Sequence, residues 1–544
     1  MPAAASPRDT SSQLSAPTDL GAFADLPNWL LAIVRPERVR AALTRAIAEI
    51  ASGELTAKAC EISRVRMKKE YWTGIYQLTV EMSHGDAPRV IRMQGTLIPL
   101  DQPEPSAPVD GRALGSEGWR CFLPDLRLLL ETQPPEAALP ALPTLTDPEL
   151  ARALIEQSMR AAAPEYRELR IQSCMPRVVR YKPGSRCTIL YDLAYPADLA
   201  DGHSWPDLVA IKTYKGSKGK NAYAGMRALW SSPLGNGDAV TIAEPLAYLP
   251  ELNALVQGPI REEQTLKDLI RSALRENTPE ALAELESAMR KTARGLAALH
   301  RSGAQYGESY AWEEEFAEVR ETVDQLGGAI PRLAGVAEPL LARLGALAAE
   351  HPADPMAPSH SSFRPAQVLL HHGTIGFIDF DSFCQAEPAL DLALFLAATK
   401  NIGLSEPHEE ESNEDDAELD PITRKTLLDR LDAICETFLA EYEQHAPVSR
   451  QRVALWQALD LLSLVLTCWT KIKPVRLGNT LAMIERHLRG MGLYSAARAG
   501  DAARKTRKSV ATPKFRYIAL ANAVIASTWI DELAEMLGFL QSII

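Results

Sequence analysis

A polar loop and the end of an apolar segment carry the side chains in this sequence that are best suited to chemistry. The loop begins at Ser359 and passes through His360 before an apolar run that ends at Leu370. After a His-His-Gly turn, a second apolar segment ends in Ile-Asp-Phe-Asp at residues 378–381, so Asp379 lies at the exit of a predicted strand. Mg²⁺ prefers carboxylate and phosphate oxygens as ligands. Asp379 is therefore the strongest single candidate for a metal ligand.

The residues near Asp379 could instead have ordinary structural roles. Asp381 is either a second metal ligand or a solvated turn acid, and the sequence favours neither, because perturbed and structural acids coexist at such sites. His371 and His372 are adjacent in a turn, and such a pair rarely holds a metal without further ligands. We predict that the two histidines are ordinary loop residues.

The elements that position these residues follow from the hydrophobic pattern. Residues 27–53 are predicted to be helical, and a further helix begins near Asp147. A hairpin is predicted around Pro183 and Gly184, with a third strand at residues 208–214. Beyond Lys212 the chain is mostly helical. Short strands are predicted in both halves of the chain, at residues 64–67, 75–82, 89–97, 247–249, 254–257, 368–370 and 374–378.

Composition excludes several classes of protein. The chain has 544 residues, 46% of them hydrophobic and 24% charged, which is typical of globular proteins. Its net charge of −12 argues against a protein that coats nucleic acid, which needs clustered cations. The N-terminal residues lack a secretory signal, and no apolar stretch is both long and uninterrupted enough for a membrane span. The seven cysteines are scattered. We expect a cytoplasmic protein with reduced thiols, no membrane segment and no nucleic-acid partner.

Taken in order, several motifs resemble the aminoglycoside phosphotransferase-like family. That family has a loop of the form H-x-D-x-x-x-x-N/Q, then a short hairpin, an I-D-F or I-D-W motif and a downstream P-x-x-D-L-A. The chain matches it with His360, Gln367, Asp379 and the segment Pro388-Ala-Leu-Asp391-Leu-Ala. Val209-Ala-Ile-Lys212 matches an upstream strand, and Leu296-Ala-Ala-Leu-His300 resembles the helix end before the loop. The resemblance spans about residues 171–489.

The resemblance implies an α+β, protein-kinase-like two-lobed fold, with a small antiparallel sheet lobe and a helical lobe. It implies that Lys212 pairs with the phosphates of ATP, that Pro183 and Gly184 form the turn above them, and that Gln257 and Gly258 belong to a hinge that meets adenine. The turn lacks the several glycines that let a backbone approach phosphate closely. Mg²⁺ would be held by Asp379 and Gln367. Asp381 would be a further ligand if it is not a solvated turn acid.

The same resemblance assigns structural roles to two residues. It also shows one position at which the chain departs from the family's motif. His360 would support the loop backbone, and Asp391 would bond that backbone rather than a ligand. The position of the family's catalytic aspartate is occupied by Ser362. A serine hydroxyl is a poor base at neutral pH and supplies no negative charge. The helix after the third strand, residues 221–230, also contains no glutamate to pair with Lys212.

We predict five segments along the chain. They are a disordered tail (1–24), an N-terminal α/β extension with the strand pattern of a degenerate repeat of the small lobe (25–150), a sheet lobe (165–260), a helical lobe with an acidic loop at 406–420 (261–500), and a basic segment with a C-terminal helix (501–544).

Three functions follow from these features. The first is a nucleotide-binding pseudokinase with impaired phosphoryl transfer. The second is an active ATP-dependent kinase that phosphorylates a hydroxyl of a small molecule, with another group in place of the missing base. The third is a non-catalytic interaction protein whose basic residues 504–516 contact an acidic protein partner. The expected ligands are ATP and Mg²⁺, together with a small-molecule acceptor or a protein partner.

Overall fold

The structure is a computed structural model that describes residues 20–82, 87–100, 102–105, 113–134, 139–200, 203, 205–216, 218–235, 237, 239–405 and 419–494. Most of the predicted tail, the acidic residues 406–418 and the whole of segment 501–544 lie outside the described residues. Leu20–Phe23, which the sequence analysis places in the tail, form a 3-10 helix whose Leu20 and Phe23 side chains are buried. Asp420, the last acid of the predicted acidic loop, caps the helix that follows it.

The N-terminal extension consists of short helices packed on a five-stranded antiparallel sheet. The strand order is β1-β2-β3-β5-β4. The elements are α1 (Asn28–Ala32), α2 (Pro36–Ala46), α3 (Ala48–Ala51), β1 (Leu55–Lys68), β2 (Tyr71–Met82), β3 (Arg89–Leu97), β4 (Arg120–Leu123) and β5 (Leu128–Thr132).

The helical prediction for residues 27–53 is confirmed, and the structure divides this range into three short helices. Pro36 restricts the residue before it, and Arg35 is extended, with φ −100° and ψ 106°. Ile47 is also extended and buries its side chain completely. The apolar periodicity is the same in one bent helix as in three, so periodicity alone does not locate these breaks.

A second five-stranded antiparallel sheet forms the sheet lobe. Its strand order is β6-β7-β8-β11-β10, and Lys212 lies on the central strand β8. The elements are α4 (Leu142–Thr146), α5 (Pro148–Ala162), β6 (Ser173–Lys182), β7 (Arg186–Ala194), α6 (Ala197–Ala200), β8 (Leu208–Tyr214), α7 (Lys218–Trp230), β9 (Thr241–Ile242), β10 (Pro245–Leu249) and β11 (Ala254–Gln257).

The two sheets have the same topology. When the strands of each sheet are numbered along the chain, both follow the order 1-2-3-5-4 with every neighbouring pair antiparallel. The sheet lobe inserts α7 between its third and fourth strands, whereas the described residues between β3 and β4 contain no helix. The third strand of the extension also has no lysine at all. The two sheets therefore share a strand order but not the lysine of the third strand.

The helical lobe surrounds two small sheets that carry the polar loop. Strands β15 and β16 form the hairpin that ends at Asp379. The helices are α8 (Leu266–Glu276), α9 (Pro279–His300), α10 (Trp312–Ala329), α11 (Pro331–Glu350), α12 (Pro388–Leu404), α13 (Pro421–Glu443), α14 (Arg450–Thr470) and α15 (Pro474–Gly490). The strands are β12 (Gln264–Thr265), β13 (Ser309–Tyr310), β14 (Ala357–Ser359), β15 (Val368–His371), β16 (Thr374–Phe377) and β17 (Cys384–Ala386).

Helix α14 is long and apolar enough to cross a membrane by length and composition, but 67% of its most apolar window is buried inside the molecule. It also carries Arg452, which is buried and donates to the buried carboxylate of Glu387 just before α12. Trp456 of the same helix donates to that carboxylate. Because a buried charge needs such partners, α14 is best described as a core helix of the helical lobe.

Two tryptophans join the extension to the helical lobe. The indole N–H of Trp72 on β2 donates to the backbone oxygen of Trp469 on α14, at 3.1 Å. The indole N–H of Trp469 donates in turn to the backbone oxygen of Phe23, also at 3.1 Å. All three side chains are buried. The extension therefore docks on the end of α14, which is also a wall of the cavity described below.

Replacing Trp72 with phenylalanine should lower the free energy of unfolding by about 1 kcal/mol or more, because it removes a buried hydrogen bond and part of the ring contact. Chemical denaturation of the full chain measures this change. The matched control is Trp205→Phe, since Trp205 donates to Glu165 at a solvent-exposed position and should matter less. Equal effects of the two substitutions would show that the Trp72 contact does not stabilise the docked extension.

Candidate active site

The polar loop is held by Asp391 from the first turn of α12. The two carboxylate oxygens of Asp391 each accept a backbone N–H, from His360 and from Ser361, both at 2.7 Å. The His300 ring lies 3.2 Å from the same carboxylate. Asp391 is completely buried, and Ser361 adopts a left-handed conformation with φ 63°. Asp391 thus fixes the loop backbone, the structural role that the resemblance implies for it.

His360 links the loop to the end of the hairpin. Its Nε2 atom is 2.9 Å from the backbone oxygen of Ile378, next to Asp379. Because a carbonyl oxygen only accepts, Nε2 carries a proton, and in the neutral imidazole this makes the opposite nitrogen, Nδ1, an acceptor. The Ser362 hydroxyl is 3.2 Å from Nδ1 and is therefore the donor in that bond. His360 supports the backbone, as the resemblance implies, and Ser362 has its proton engaged in the loop.

Asp379 lies between the two lobes and pairs with Lys212. The Lys212 ammonium donates to Asp379 Oδ1 at 3.2 Å, and the two side chains are 15% and 27% exposed. Burial alone would favour the neutral acid, but the Lys212 charge and hydrogen bond outweigh it and lower the pKa of Asp379 to about 2. Asp379 also adopts φ 75°, which is uncommon outside glycine. The carboxylate is thus ionised, positioned and partly accessible.

Asp381 lies beside this pair in a different environment. Its carboxylate accepts the Tyr214 hydroxyl at 2.8 Å, and its backbone oxygen accepts from Asn221 at 3.3 Å. Burial raises the pKa of Asp381, against the pull of Lys212, and the charge of Asp379 raises it further. The two aspartates therefore differ in how readily each ionises. Asp381 is held within the protein rather than solvated.

Gln367 completes the set of oxygen atoms near Asp379. Its side-chain oxygen accepts the backbone N–H of Arg364 at 2.9 Å. Its own backbone oxygen accepts from Ile378 at 3.1 Å. A carbonyl oxygen has two lone pairs, so one hydrogen bond leaves a site for a cation. The chemistry of the three side chains, with two carboxylates and an amide oxygen, suits Mg²⁺.

The contacts say less about the four residues predicted for the phosphate turn and the adenine hinge. Pro183 and Gly184 form the turn between β6 and β7, with φ 63° at Gly184. The backbone N–H of Gly258 donates to Glu244 at 2.8 Å within the protein, so it is already used. Gln257 is buried in β11, where it pairs with the neighbouring strands. Lys212 and the loop residues are thus brought together, and the hinge strand β11 lies beside β8, with Gln257 opposite Ala210.

A large cavity adjoins Asp379 and Gln367. Its volume is about 1120 Å³, and the extension, the β6–β7 hairpin, α8, the polar loop, α12, α14 and α15 all contribute to its wall. Such a volume accommodates a small-molecule ligand. The acids of the wall are Glu37, Asp379 and Asp460, and its bases are Arg35, Arg180, Arg186, Lys267, Arg271, Arg364, Lys471, Lys473 and Arg476. The cavity is strongly cationic.

Asp460 on α14 is an unusual acid in this wall. Burial raises the pKa of Asp460 to about 7 and outweighs the charge of Arg364. The nearby charge of Glu315 raises it further, and that of Arg476 lowers it. Asp460 is thus a carboxyl group poised to exchange protons near neutral pH.

Replacing Asp460 with asparagine should change how stability depends on pH. A carboxyl group with a raised pKa binds its proton more tightly in the folded state, so the wild type should lose stability relative to Asp460→Asn as the pH rises from about 4 to about 7. Thermal melts across this range measure the difference. Asp429→Asn is the control without such a decline, because hydrogen bonds from Lys425 and Arg486 lower the pKa of Asp429. Parallel curves for the wild type and Asp460→Asn would contradict the raised pKa.

The predicted histidine turn has a third potential ligand. His372 Nδ1 is 2.9 Å from Glu263 Oε1, and single ligand atoms of Glu263, His371 and His372 lie within 4.8 Å of one another. The prediction that the two histidines are mere loop residues did not foresee Glu263, because the contact spans the hairpin and the segment before α8. All three residues lie away from Asp379 at the opposite end of β15 and β16.

Several residues of the site were missed from sequence. Arg180 and Arg186 flank the predicted Pro-Gly turn, and Arg364 follows Ser362 in the same loop, so proximity to predicted site residues was the available signal. Asp460 is the single charged residue in the apolar stretch 454–470. An isolated acid in such a stretch signals either a buried pair or a functional carboxyl group.

Comparisons with known proteins agree with the loop motifs. Residues 266–422 match the sequence model of the phosphotransferase enzyme family. No curated protein matches. Similar solved structures include a glucosamine kinase in complex with glucosamine, ADP and inorganic phosphate, at 15% identity and a TM-score of 0.41, covering 84% of this chain and 98% of that chain.

Two further solved structures are more distant in sequence. The choline kinase of Cryptosporidium parvum Iowa II has 11% identity and a TM-score of 0.40, covering 63% of this chain and 97% of that one. The aminoglycoside phosphotransferase APH(2'')-Ib, bound to ADP, has 13% identity and a TM-score of 0.38, covering 61% and 99%. Residues 266–422, which contain the polar loop and the Asp379 hairpin, match the phosphotransferase enzyme family. The α+β architecture, with an antiparallel sheet lobe and a helical lobe, is the one that the sequence predicts.

Proposed function

We propose that this chain binds ATP with Mg²⁺ between its two lobes, and that the phosphotransferase chemistry of the site is impaired by Ser362. The observation that carries the proposal is the Lys212–Asp379 pair, which joins the sheet lobe to the loop hairpin. A lysine at this place suits phosphate, and an ionised aspartate beside it suits a divalent cation. The loop that should supply a base instead has a hydroxyl donating to His360.

In this proposal each residue has a defined task. Lys212 binds the phosphates, and Arg186, whose charge acts on Asp379, adds a second cation to that region. Asp379 and Gln367 would hold Mg²⁺, with Asp381 as a third oxygen donor. The bound Mg²⁺ would neutralise the charge that develops on the phosphates. Gln257 and Gly258 remain the proposed adenine contacts. Because the Gly258 N–H already donates to Glu244, we propose that the Gly258 carbonyl oxygen is the group that meets adenine.

Phosphoryl transfer would use the cavity for the acceptor. The bond between the γ-phosphorus and the β–γ bridging oxygen breaks, a bond to the acceptor oxygen forms, ADP leaves, and the acceptor proton passes to water. Because the transition state is loose, this step depends more on positioning than on a base. The expected consequence of Ser362 is slow transfer rather than none.

The second candidate is an active small-molecule kinase. It is favoured by the cavity of about 1120 Å³ that reaches Asp379 and by Asp460 in its wall. The two candidates differ only in rate and share the nucleotide site. The third function, an interaction protein, rests on residues 504–516, which lie outside the described residues. We further propose a cytoplasmic location, since the buried cysteines of the described chain are all unpaired.

Replacing Lys212 with alanine should weaken the binding of ATP with Mg²⁺ by about 10- to 100-fold, the usual loss when one charged hydrogen-bond donor is removed. Isothermal titration calorimetry of the full chain measures this affinity. The matched control is Lys220→Ala, an exposed lysine on α7 that should leave binding unchanged. If wild-type protein bound no ATP, or if both variants bound it equally well, the proposed nucleotide site would be incorrect.

A further inference from the structure

The cationic cavity has its densest charge where α14 meets α15. Lys471, Lys473 and Arg476 line this end, and Arg364 of the polar loop faces them. Partial burial lowers the pKa of Lys473, and the charge of Arg476 lowers it further. Cations that crowd one another in this way raise the energy of the empty cavity.

Three of these cations, Arg364, Lys471 and Arg476, have no carboxylate partner among the described residues. The buried Nε atom of Arg476 also has no hydrogen-bond partner within that described part of the chain. Other arginines of the helical lobe behave differently. Arg450 bonds to Glu436 and Glu443, and Arg486 bonds to Asp429 and Asp432. Within the described ranges, Arg364, Lys471 and Arg476 thus lack the carboxylate partners that Arg450 and Arg486 have.

The triphosphate of a nucleotide does not account for this charge. Lys212 and Arg186 already surround Asp379, where the phosphates are proposed to lie. The cluster at the α14–α15 junction belongs to other elements of the wall. Among the acids of the cavity wall, Asp460 is the one whose carboxyl group interacts with Arg364 and Arg476, and burial raises its pKa, so it carries only part of a negative charge near neutral pH. An anionic ligand would balance the remaining positive charge of the cluster.

We propose that the end of the cavity formed by Arg364, Lys471, Lys473 and Arg476 binds a phosphate group or another multivalent oxyanion of a small molecule. The planar guanidinium groups match the paired oxygens of phosphate and carboxylate. The acceptor is then an anionic hydroxyl compound, such as a phosphorylated or polycarboxylated one, rather than a neutral or cationic one. The assignment of this ligand as the acceptor rests on the proposed function, whereas binding of the oxyanion does not.

The test measures oxyanion binding while the nucleotide site is filled. Inorganic phosphate is titrated into the full chain by calorimetry at constant ionic strength, in the presence of Mg²⁺ and a saturating non-hydrolysable ATP analogue. Arg476→Met should weaken phosphate binding by about 10- to 100-fold, as expected for loss of a charged donor. Lys471→Met, at an exposed residue, should weaken it in the same direction, and thermal melts show whether each variant is folded. Arg38→Met, an exposed arginine of α2 outside the cavity wall, should have no effect.

Citrate in place of phosphate distinguishes the two sources of the oxyanion. Tighter binding of phosphate supports a phosphorylated ligand, and tighter binding of citrate supports a polycarboxylate, provided that either depends on Arg476. The proposal is overturned if neither anion binds, if the ATP analogue displaces phosphate, or if both cavity variants bind phosphate as well as wild type does. Failure of the nucleotide proposal looks different, because the analogue itself would then not bind while Arg476-dependent phosphate binding persists.

Discussion

Replacing Ser362 with aspartate is expected to raise the rate of ATP turnover by about 10²–10⁴-fold, the usual contribution of a positioned general base. The loop backbone that would present the new carboxylate is already fixed by Asp391. In the neutral His360 ring, Nδ1 has no proton to offer the new carboxylate. The carboxylate is therefore left to accept the proton of an acceptor hydroxyl.

The measurement is release of ADP from ATP, with water or an added hydroxyl compound as the acceptor. Ser362→Asn is the matched control, since it has the size of aspartate without the charge and should give no gain. A wild type that already turns over an acceptor at ordinary kinase rates, together with a slower Ser362→Asp variant, would refute impaired transfer. It would favour the active kinase, with another group of the cavity wall such as Asp460 in the place of the base.

The second large effect is expected from Asp379→Asn, which should lower phosphoryl transfer by about 10²–10³-fold, the loss typical of removing one electrostatic contact to the transition state. A carboxylate compensates the charge of Mg²⁺, whereas an amide offers only a dipole. Asparagine is a clean replacement because it tolerates the positive φ of residue 379 better than most residues do. The dependence of ATP affinity on Mg²⁺ should disappear in the same variant.

Gln367→Ala is the comparison for this experiment and should have the smaller effect, because it removes an amide oxygen that also accepts from Arg364. Calorimetry with and without Mg²⁺ separates the two variants, and thermal melts show whether each is folded. If Gln367→Ala abolished Mg²⁺-dependent binding while Asp379→Asn left it unchanged, the assignment of the principal metal ligand would be incorrect.

The local features of the candidate site could be predicted because they are encoded in short segments. The hairpin that ends at Asp379 and the strand that carries Lys212 follow from apolar patterns of a few residues. The partner of Lys212 could not be predicted, since Asp379 lies 167 positions away along the chain. The Gly258 N–H is likewise used by Glu244, a contact between strands that no local pattern reveals.

The cavity was beyond prediction for the same physical reason. Its cations come from the extension, the hairpin, the loop and the α14–α15 junction, and each looks like a solvated surface charge in its own segment. The break at Ile47 was also hidden, because tertiary packing of Ile47 decided the backbone there, whereas Pro36 was a local signal for the break at Arg35. The pattern suggested a repeat of three antiparallel strands, but not the strand order that the two sheets share.

The docking of the extension on α14 bears on how such a chain can diversify. Leu31, Val34, Arg35 and Glu37 of the extension share the cavity wall with the helical lobe, while Lys212 and Asp379 lie on other elements. Mutations in this helical segment would therefore reshape the proposed ligand cavity without replacing the groups proposed to bind phosphate. The extension would then act as an evolvable specificity module for the lobe that carries Lys212.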